Sequence, residues 1–358
     1  MTLRVAVVTH SDVEGGAEVY LQRLYHEFSG VEAKVFGRLP GWSGPADELG
    51  LGPKWGSSTV AAGMLRLPGE RRRVRNAVQR FGPDVIHLQF KREQIGFTKS
   101  LSEIAPVVWT EHGVMHKPMR VALGSMYRRA GRHVTSVISV SDAVRRQVVE
   151  LVSDDRVCVI ENGVDAASAA IPTMATRDRV RGELGIAEGP LAVWVGRLDI
   201  GKRPGLAIDV VREWGGSLVI AGDGPLRREV ERGAAANPRV HYVGRVDPTV
   251  LYQAADVLLL TSDGRSEGLP NVLLEAAAYG VPAVATDTAV FRDPVLASGG
   301  LLVAGVEPGS WAKSLGRALG DARRRSTARI WAEDHDLPRW RDEHRDVLLA
   351  AVRGNARR

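Results

Sequence analysis

Residues Ala192-Val193-Trp194-Val195-Gly196-Arg197-Leu198-Asp199-Ile200-Gly201-Lys202 decide the fold. A short apolar run stops at a glycine, a charged loop follows, and a helical stretch leads to a second run, Leu218–Ala221. That run ends in the tight turn Gly222-Asp223-Gly224-Pro225, and further runs follow at Val240–Val243, Val257–Leu260 and Ala283–Ala285. Apolar strands that alternate with helices predict a parallel sheet covered on both faces. In such a sheet ligands bind beyond the carboxyl ends of the strands, where Arg197 and Lys202 stand.

The same alternation is written once before. Strands are expected at Leu3–Val8, Ala33–Phe36, Val85–Leu88, Val107–Thr110, Ser136–Val140 and Val157–Ile160, with a helix over Ala17–Phe28. Asp165–Arg181 carries Ala, Ser, Thr and Pro172 without a clean period and reads as a linker. The chain of 358 residues therefore divides into two Rossmann-like domains, 1–165 and 166–336. A last helical pattern, within 337–354, is expected to return to the first domain. Gly37–Gly69, rich in Gly and Pro with Trp42 and Trp55, reads as a long irregular segment and a candidate wall for a second substrate.

Composition excludes several classes. Apolar residues make up 44% and charged residues 25%, as in ordinary globular proteins. One cysteine, Cys158, rules out an internal disulfide or a cysteine-based zinc site. The apolar run Val5–Val8 is too short for a signal peptide, and no later run is long enough to span a membrane, so a cytoplasmic location is expected. The chain carries 48 Lys and Arg against 42 Asp and Glu, a formal charge of +6. The recognised nucleic-acid modules are missing, so the basic excess does not make this a nucleic-acid binder.

The motifs sit at strand ends. The first junction, Thr9-His10-Ser11-Asp12-Val13-Glu14-Gly15-Gly16-Ala17-Glu18, lacks the G-x-G-x-x-G spacing and so speaks against a nicotinamide or flavin enzyme. Its two glycines still let a ligand approach backbone at a helix N-terminus. Arg197, as a planar fork, and Lys202, as a point charge, are suited to a diphosphate. Gly244-Arg245-Val246 closes another strand. The loop Thr261–Pro270 then places Glu267 ahead of a helix opened by Pro270 and containing Asn271, Val272 and Glu275. The helix amides can meet phosphates, and a Glu on an apolar helix face requires a partner.

In this order the motifs resemble the family-four, retaining nucleotide-sugar glycosyltransferases of GT-B fold. The likeness also includes Asp84-Val85-Ile86-His87, Glu111-His112-Gly113, Ser139-Val140-Ser141-Asp142 and Ile160-Glu161-Asn162-Gly163-Val164-Asp165. It implies two Rossmann-like domains facing across a cleft, the first binding an acceptor and the second a nucleotide sugar. Arg197 and Lys202 would neutralise the donor diphosphate, Glu275 would hold the ribose, and Glu267 the transferred sugar. Gly15, Gly16, Gly222, Asp223, Gly268, Leu269, Pro270, Asn271 and Val272 would complete the donor site, with Arg245 and Val246 beside the base. His112 would stand at the reacting sugar, with His112–Arg120 as a second acceptor wall. UDP is expected ahead of GDP.

Two fixed cations and helix amides stabilise a leaving diphosphate, so no divalent metal is needed. The Asp334-His335-Asp336 triplet follows no strand pattern and reads as chance. The acceptor is expected to be a hydroxyl on a small molecule, a glycan or a lipid-linked precursor. A sugar-nucleotide 2-epimerase of the same fold and a non-catalytic nucleotide-sugar binder are the alternatives. The charge is uneven: Arg66 to Arg132 holds 14 basic and 5 acidic residues, an excess of nine, which leaves −3 for the rest. A solvated arginine face is the plain reading. Contact with an anionic membrane, such as the inner membrane face, is the sharper one.

Overall fold

Every strand pairing among the described residues is parallel, as expected of apolar strands that cannot leave a face to water. The computed structural model describes residues 2–56, 59–113, 115, 117–186, 189–265 and 267–355. Val114 and His116 of the expected acceptor wall, and Ser266 of the 261–275 stretch, lie outside them.

One unit comprises Met1–Asn162 with Leu337–Arg358. Its elements are β1 (Leu3–His10), α1 (Gly16–Tyr25), β2 (Val31–Arg38), β3 (Ala46–Asp47), α2 (Val60–Phe81) and β4 (Val85–Leu88). Then come α3 (Lys91–Leu101), β5 (Val107–Glu111), α4 (Lys117–Gly131), β6 (Ser136–Ser139), α5 (Asp142–Val148) and β7 (Val157–Val159). The sheet order is β3-β2-β1-β4-β5-β6-β7, so the winding direction reverses between β1 and β4.

The other unit is Gly163–Asp336. It contains α6 (Met174–Glu183), β8 (Leu191–Val195), α7 (Pro204–Trp214), β9 (Ser217–Ala221), α8 (Arg227–Ala235) and β10 (Val240–Gly244). It continues with α9 (Pro248–Ala254), β11 (Val257–Leu260), α10 (Asn271–Ala278) and β12 (Ala283–Thr286). It ends with α11 (Arg292–Ala297), β13 (Leu301–Val303), α12 (Pro308–Leu319) and α13 (Arg323–Glu333). Its sheet runs β10-β9-β8-β11-β12-β13 and reverses between β8 and β11. Loops after those two strands form its crevice edge, where ligands of open α/β sheets bind.

Two sequence expectations need correction. The irregular segment Gly37–Gly69 ends early, because α2 begins at Val60 and runs through Pro68. Proline removes one helical donor, but Leu67, Glu70, Val74, Ala77 and Val78 still form a continuous buried face. The expected linker Asp165–Arg181 is partly α6, capped by the Thr173 hydroxyl at 3.2 Å from the Thr176 amide. Its apolar period is faint because arginines anchor it: Arg177 donates to Ala255 O (3.0 Å) and Arg181 to Ala254 O (3.0 Å), and both meet Asp256. Asp336 lies outside every strand, as expected, and makes only an isolated parallel bridge with Val164.

The C-terminal helix α14 (Leu337–Asn355) belongs to the first unit and buries Trp340, His344, Leu348 and Ala351 there. Arg341 donates to Arg23 O (2.7 Å) and Arg345 to Ser29 O (3.0 Å). The His344 ring meets the Tyr20 hydroxyl, and the His87 ring stands 2.6 Å from the Tyr25 hydroxyl and 2.7 Å from Thr110 Oγ1. Burial pushes His87 down to about 3 and His344 down to about 4 from the ordinary 6.5. Both imidazoles are neutral when folded and take up protons when the chain unfolds below pH 6.5. Stability is therefore full above that value and falls as pH drops toward 4, by up to about 1.4 kcal/mol per pH unit for each ring. Thermal unfolding should show a falling Tm between pH 6.5 and pH 5, whereas a flat Tm there would contradict the neutral-imidazole core.

Candidate functional site

In the second unit the carboxyl-end loops are locked to one another before any ligand is considered. Gly222 follows β9 at φ +135°, and a Cβ there would lie 1.8 Å from Gly196 O, so only glycine fits. The Gly222 amide donates to Gly244 O (2.7 Å), and the Gly196 amide to Ala221 O (3.0 Å). The Leu198 amide donates to Asp223 O at 2.9 Å, and the Leu226 amide to Leu198 O at 2.9 Å. Three successive strand ends are thereby fixed to each other. Asp223, Arg245 and Val246 are exposed at this edge.

The Arg197–Lys202 loop is held from beneath by Thr261, at the end of β11. Its hydroxyl lies 2.8 Å from Lys202 O and 2.9 Å from Arg203 O, and it accepts the Trp194 indole N–H at 2.9 Å. Arg203 adopts the left-handed region (φ 51°) as the residue before α7, a conformation costing about 1–2 kcal/mol for a side chain with a Cβ. The Asp199 carboxylate accepts the Lys202 amide at 3.0 Å. Lys202 Nζ pairs with Glu267, whose same oxygen accepts the Ser262 hydroxyl at 3.0 Å. Arg197 is 58% exposed and lies 3.5 Å from Asp199. Each expected diphosphate cation thus has a carboxylate partner, Asp199 in the same loop for Arg197 and Glu267 in the loop after β11 for Lys202.

Pro270 stands just before α10 instead of at its first position, and Gly268, Leu269 and Pro270 are buried behind the loop. The α10 N-terminus at Asn271 and Val272 presents the positive end of the helix. Glu275 is half-buried, and the fully buried Tyr252 donates to it at 3.3 Å. That phenol is the partner which sequence reasoning required but did not name. It belongs to α9, too far along the chain for any local pattern to join the two.

In the first unit, Gly15 and Gly16 are exposed at the start of α1. Glu18, three residues beyond Gly15, folds back to accept the Gly15 amide at 3.0 Å and also pairs with Lys54. A glutamate at that spacing is the sequence signal of a helix start, although its lysine partner was not legible. Lys54 in turn lies 3.8 Å from the centre of the Phe90 ring. His112 follows β5 and donates from Nε2 to Gln89 Oε1 (2.9 Å), which leaves Nδ1 as the ring's acceptor. Burial, helped by Lys54 and Lys91, pushes His112 down to about 3, so it is neutral near pH 7. Glu111, its neighbour, accepts from Tyr127 at 2.5 Å and pairs with Lys91.

Residues 14–168 match the family model described as Glycosyltransferase Family 4, and residues 189–321 match Glycosyl transferases group 1. A D-inositol 3-phosphate glycosyltransferase of Xylanimonas cellulosilytica is 30% identical over 68% of this chain and 65% of its own length. One from Kineococcus radiotolerans is 28% identical over 87% of this chain and 84% of its own length. The fold matches Anabaena Alr3699/HepE, solved in complex with UDP, at a TM-score of 0.81 and 18% identity over 97% of this chain and 100% of that one. Sucrose-phosphate synthase from Thermosynechococcus elongatus matches at a TM-score of 0.78 and 18% identity, over 97% and 100% of the two chains. Two family models that together span both sheets, and the relatives beside them, place the chain: it belongs to the family-four glycosyltransferases of GT-B fold.

Proposed function

We propose that this chain transfers a hexose-type sugar from a UDP-sugar to an acceptor hydroxyl, with retention at the anomeric carbon and without a metal ion. The observation that carries the reading is the edge built from the Arg197–Lys202 loop, the Glu267 loop and the N-terminus of α10. It offers two cations and a helix end to a diphosphate, flanked by two carboxylates for hydroxyl groups. The fold neighbour solved with UDP, UDP and glucose, and UDP-glucose supports uridine as the base. The N-terminal unit is assigned the acceptor and the Gly163–Asp336 unit the donor.

In the reaction the bond from anomeric carbon to phosphate oxygen breaks and the bond to the acceptor oxygen forms on the same face. The acceptor proton passes to the departing phosphate. Negative charge grows on the diphosphate as it leaves, so Arg197, Lys202 and the α10 amides bind the transition state more tightly than the ground state. A donor phosphate draws Lys202 from Glu267, which is then available to a sugar hydroxyl. Glu275, oriented by Tyr252, accepts from the ribose hydroxyls. Neutral His112 accepts a hydroxyl hydrogen bond at Nδ1 and adds no charge next to the reacting sugar.

Membrane contact is the partner assignment that the surface supports. Helix α2 packs on α3, and α3 on α4. Their carboxylates Glu70 and Glu93 are buried, whereas Arg66, Arg72, Arg80, Lys99, Lys117, Arg128 and Arg129 are exposed. Leu65 and Val121, each 86% exposed, add apolar side chains near the starts of α2 and α4. Arginine with protruding aliphatic groups fits an anionic lipid surface.

Lys202→Ala should lower kcat/KM for the donor by about 100-fold or more. Glu275→Ala should raise the donor KM and Tyr252→Phe should do so more weakly, with Tm near wild type in all three. Wild-type kinetics in the first two would remove the donor-site assignment. Incubation with donor alone should give at most slow hydrolysis, and rapid epimerised nucleotide sugar would select the epimerase instead. In vesicle sedimentation, the protein should follow phosphatidylglycerol but not phosphatidylcholine, and Leu65→Ser with Val121→Ser should weaken that binding. Binding to neither lipid would leave the arginine face simply solvated, and equal binding to both would remove the anionic-lipid reading.

A further inference from the structure

Two buried groups near His112, Tyr20 and His344, take part in a chain of hydrogen bonds with a single direction. His344 Nδ1 lies 2.7 Å from the carbonyl of Trp340, which accepts only, so Nδ1 carries the proton. His344 Nε2 is then an acceptor, and the Tyr20 hydroxyl donates to it. The directed chain runs from the Tyr20 hydroxyl through His344 to the Trp340 carbonyl and joins α1 to α14 within one unit. Beside it the His87 ring lies between two hydroxyls, with Nε2 2.7 Å from Thr110 Oγ1 and Nδ1 2.6 Å from the Tyr25 hydroxyl.

The buried Tyr20 ring also packs against His112. It stands edge-on to the imidazole, with centroids 4.6 Å apart at 82°. Its other edge-on neighbours are both on α14: Trp340 at 4.9 Å and His344 at 5.6 Å. Among the described residues, His112 is held by Gln89 at Nε2 and by the Tyr20 ring. Only the second is reached from the C-terminal helix.

We infer that His344 is a positioning residue for His112: through the hydroxyl and ring of Tyr20 it fixes the imidazole plane that the reacting sugar meets. The inference rests on the proposed transferase role of His112. Removing Nε2 takes away the acceptor to which the Tyr20 hydroxyl donates. A buried hydroxyl that has lost its acceptor reorients to find another. The phenol is then no longer anchored to α14 at its hydroxyl end, and the His112 plane that its ring packs against is released. The C-terminal helix therefore does more than complete a core; it sets the orientation of a group that lies far earlier in the chain, just after β5.

The test uses the full chain and three variants: His344→Leu, His344→Gln and Leu348→Ala. Leu348 is buried on the same helix, and its truncation is the control for loosened packing. His344→Leu should lower kcat by about 10-fold or more and leave the donor KM within about twofold. His344→Gln, whose amide oxygen can accept from Tyr20, should recover most of that loss. Leu348→Ala should lower Tm yet keep kcat. Imidazole nitrogen spectra supply the readout independent of turnover: His112 resonances should move in His344→Leu and stay in place in His344→Gln and Leu348→Ala. Should His344→Leu not fold, Tyr20→Phe, which keeps the ring and deletes the hydroxyl, takes its place. Unmoved His112 resonances, or kcat losses that merely track Tm across the variants, would overturn the inference. A wild type that transfers no sugar would refute the function proposed above, but the spectra would still decide whether His344 positions His112.

Discussion

The Thr261 hydroxyl is the point where the second sheet grips its ligand loop. It sits at the end of β11, accepts the Trp194 indole proton from β8, and bonds to the carbonyls of Lys202 and Arg203. β8 and β11 are the two strands between which the winding reverses. A parallel sheet leaves a crevice at such a place, and loops there are normally the most mobile parts of the fold. Here one buried hydroxyl ties the strand ends to the loop, and the left-handed backbone of Arg203 is tolerated because both sides of it are held. Preorganised charge is effective only if it does not relax when the ligand arrives.

The two units solve the same problem differently. In Gly163–Asp336 the edge is built mainly from backbone, with Gly222 and Gly224 pressed against Gly196 and Leu198 at distances that exclude a side chain. In the first unit the edge rests on side chains: Glu18 on the Gly15 amide, Gln89 on His112, and the Tyr20–His344 contact beneath. The difference fits the proposed roles. A diphosphate is the same group in every nucleotide sugar and can be met by fixed backbone. An acceptor varies between enzymes of one family, and side chains are what evolution can exchange without moving a strand.

Much of this was legible in the chain itself. The strand after strand of Val, Ile, Leu and Ala, alternating with helical stretches, suffices for two parallel sheets. Val195–Lys202 and Thr261–Glu275 fall at strand ends as their composition requires. What could not be read was whatever depends on two distant segments meeting. Lys202 and Glu267 pair across loops from different strands, and Tyr252 reaches Glu275 from 23 residues away on another helix. Helix α6 escaped notice because Asp256, not an apolar face, holds it. The start of α2 was hidden by Gly63, Pro68 and Gly69, whose low helix propensity is outweighed by burial of Leu67 and Glu70.

The central claim is that the carboxyl edge of the Gly163–Asp336 unit is a diphosphate and ribose site. A crystal structure of the protein with UDP bound tests it most directly. The account predicts the ribose hydroxyls within hydrogen-bond distance of the Glu275 carboxylate, the diphosphate against Arg197 and Lys202, and Lys202 moved away from Glu267. UDP seated elsewhere, or bound with Glu275 still held only by protein groups and Lys202 still on Glu267, would contradict it.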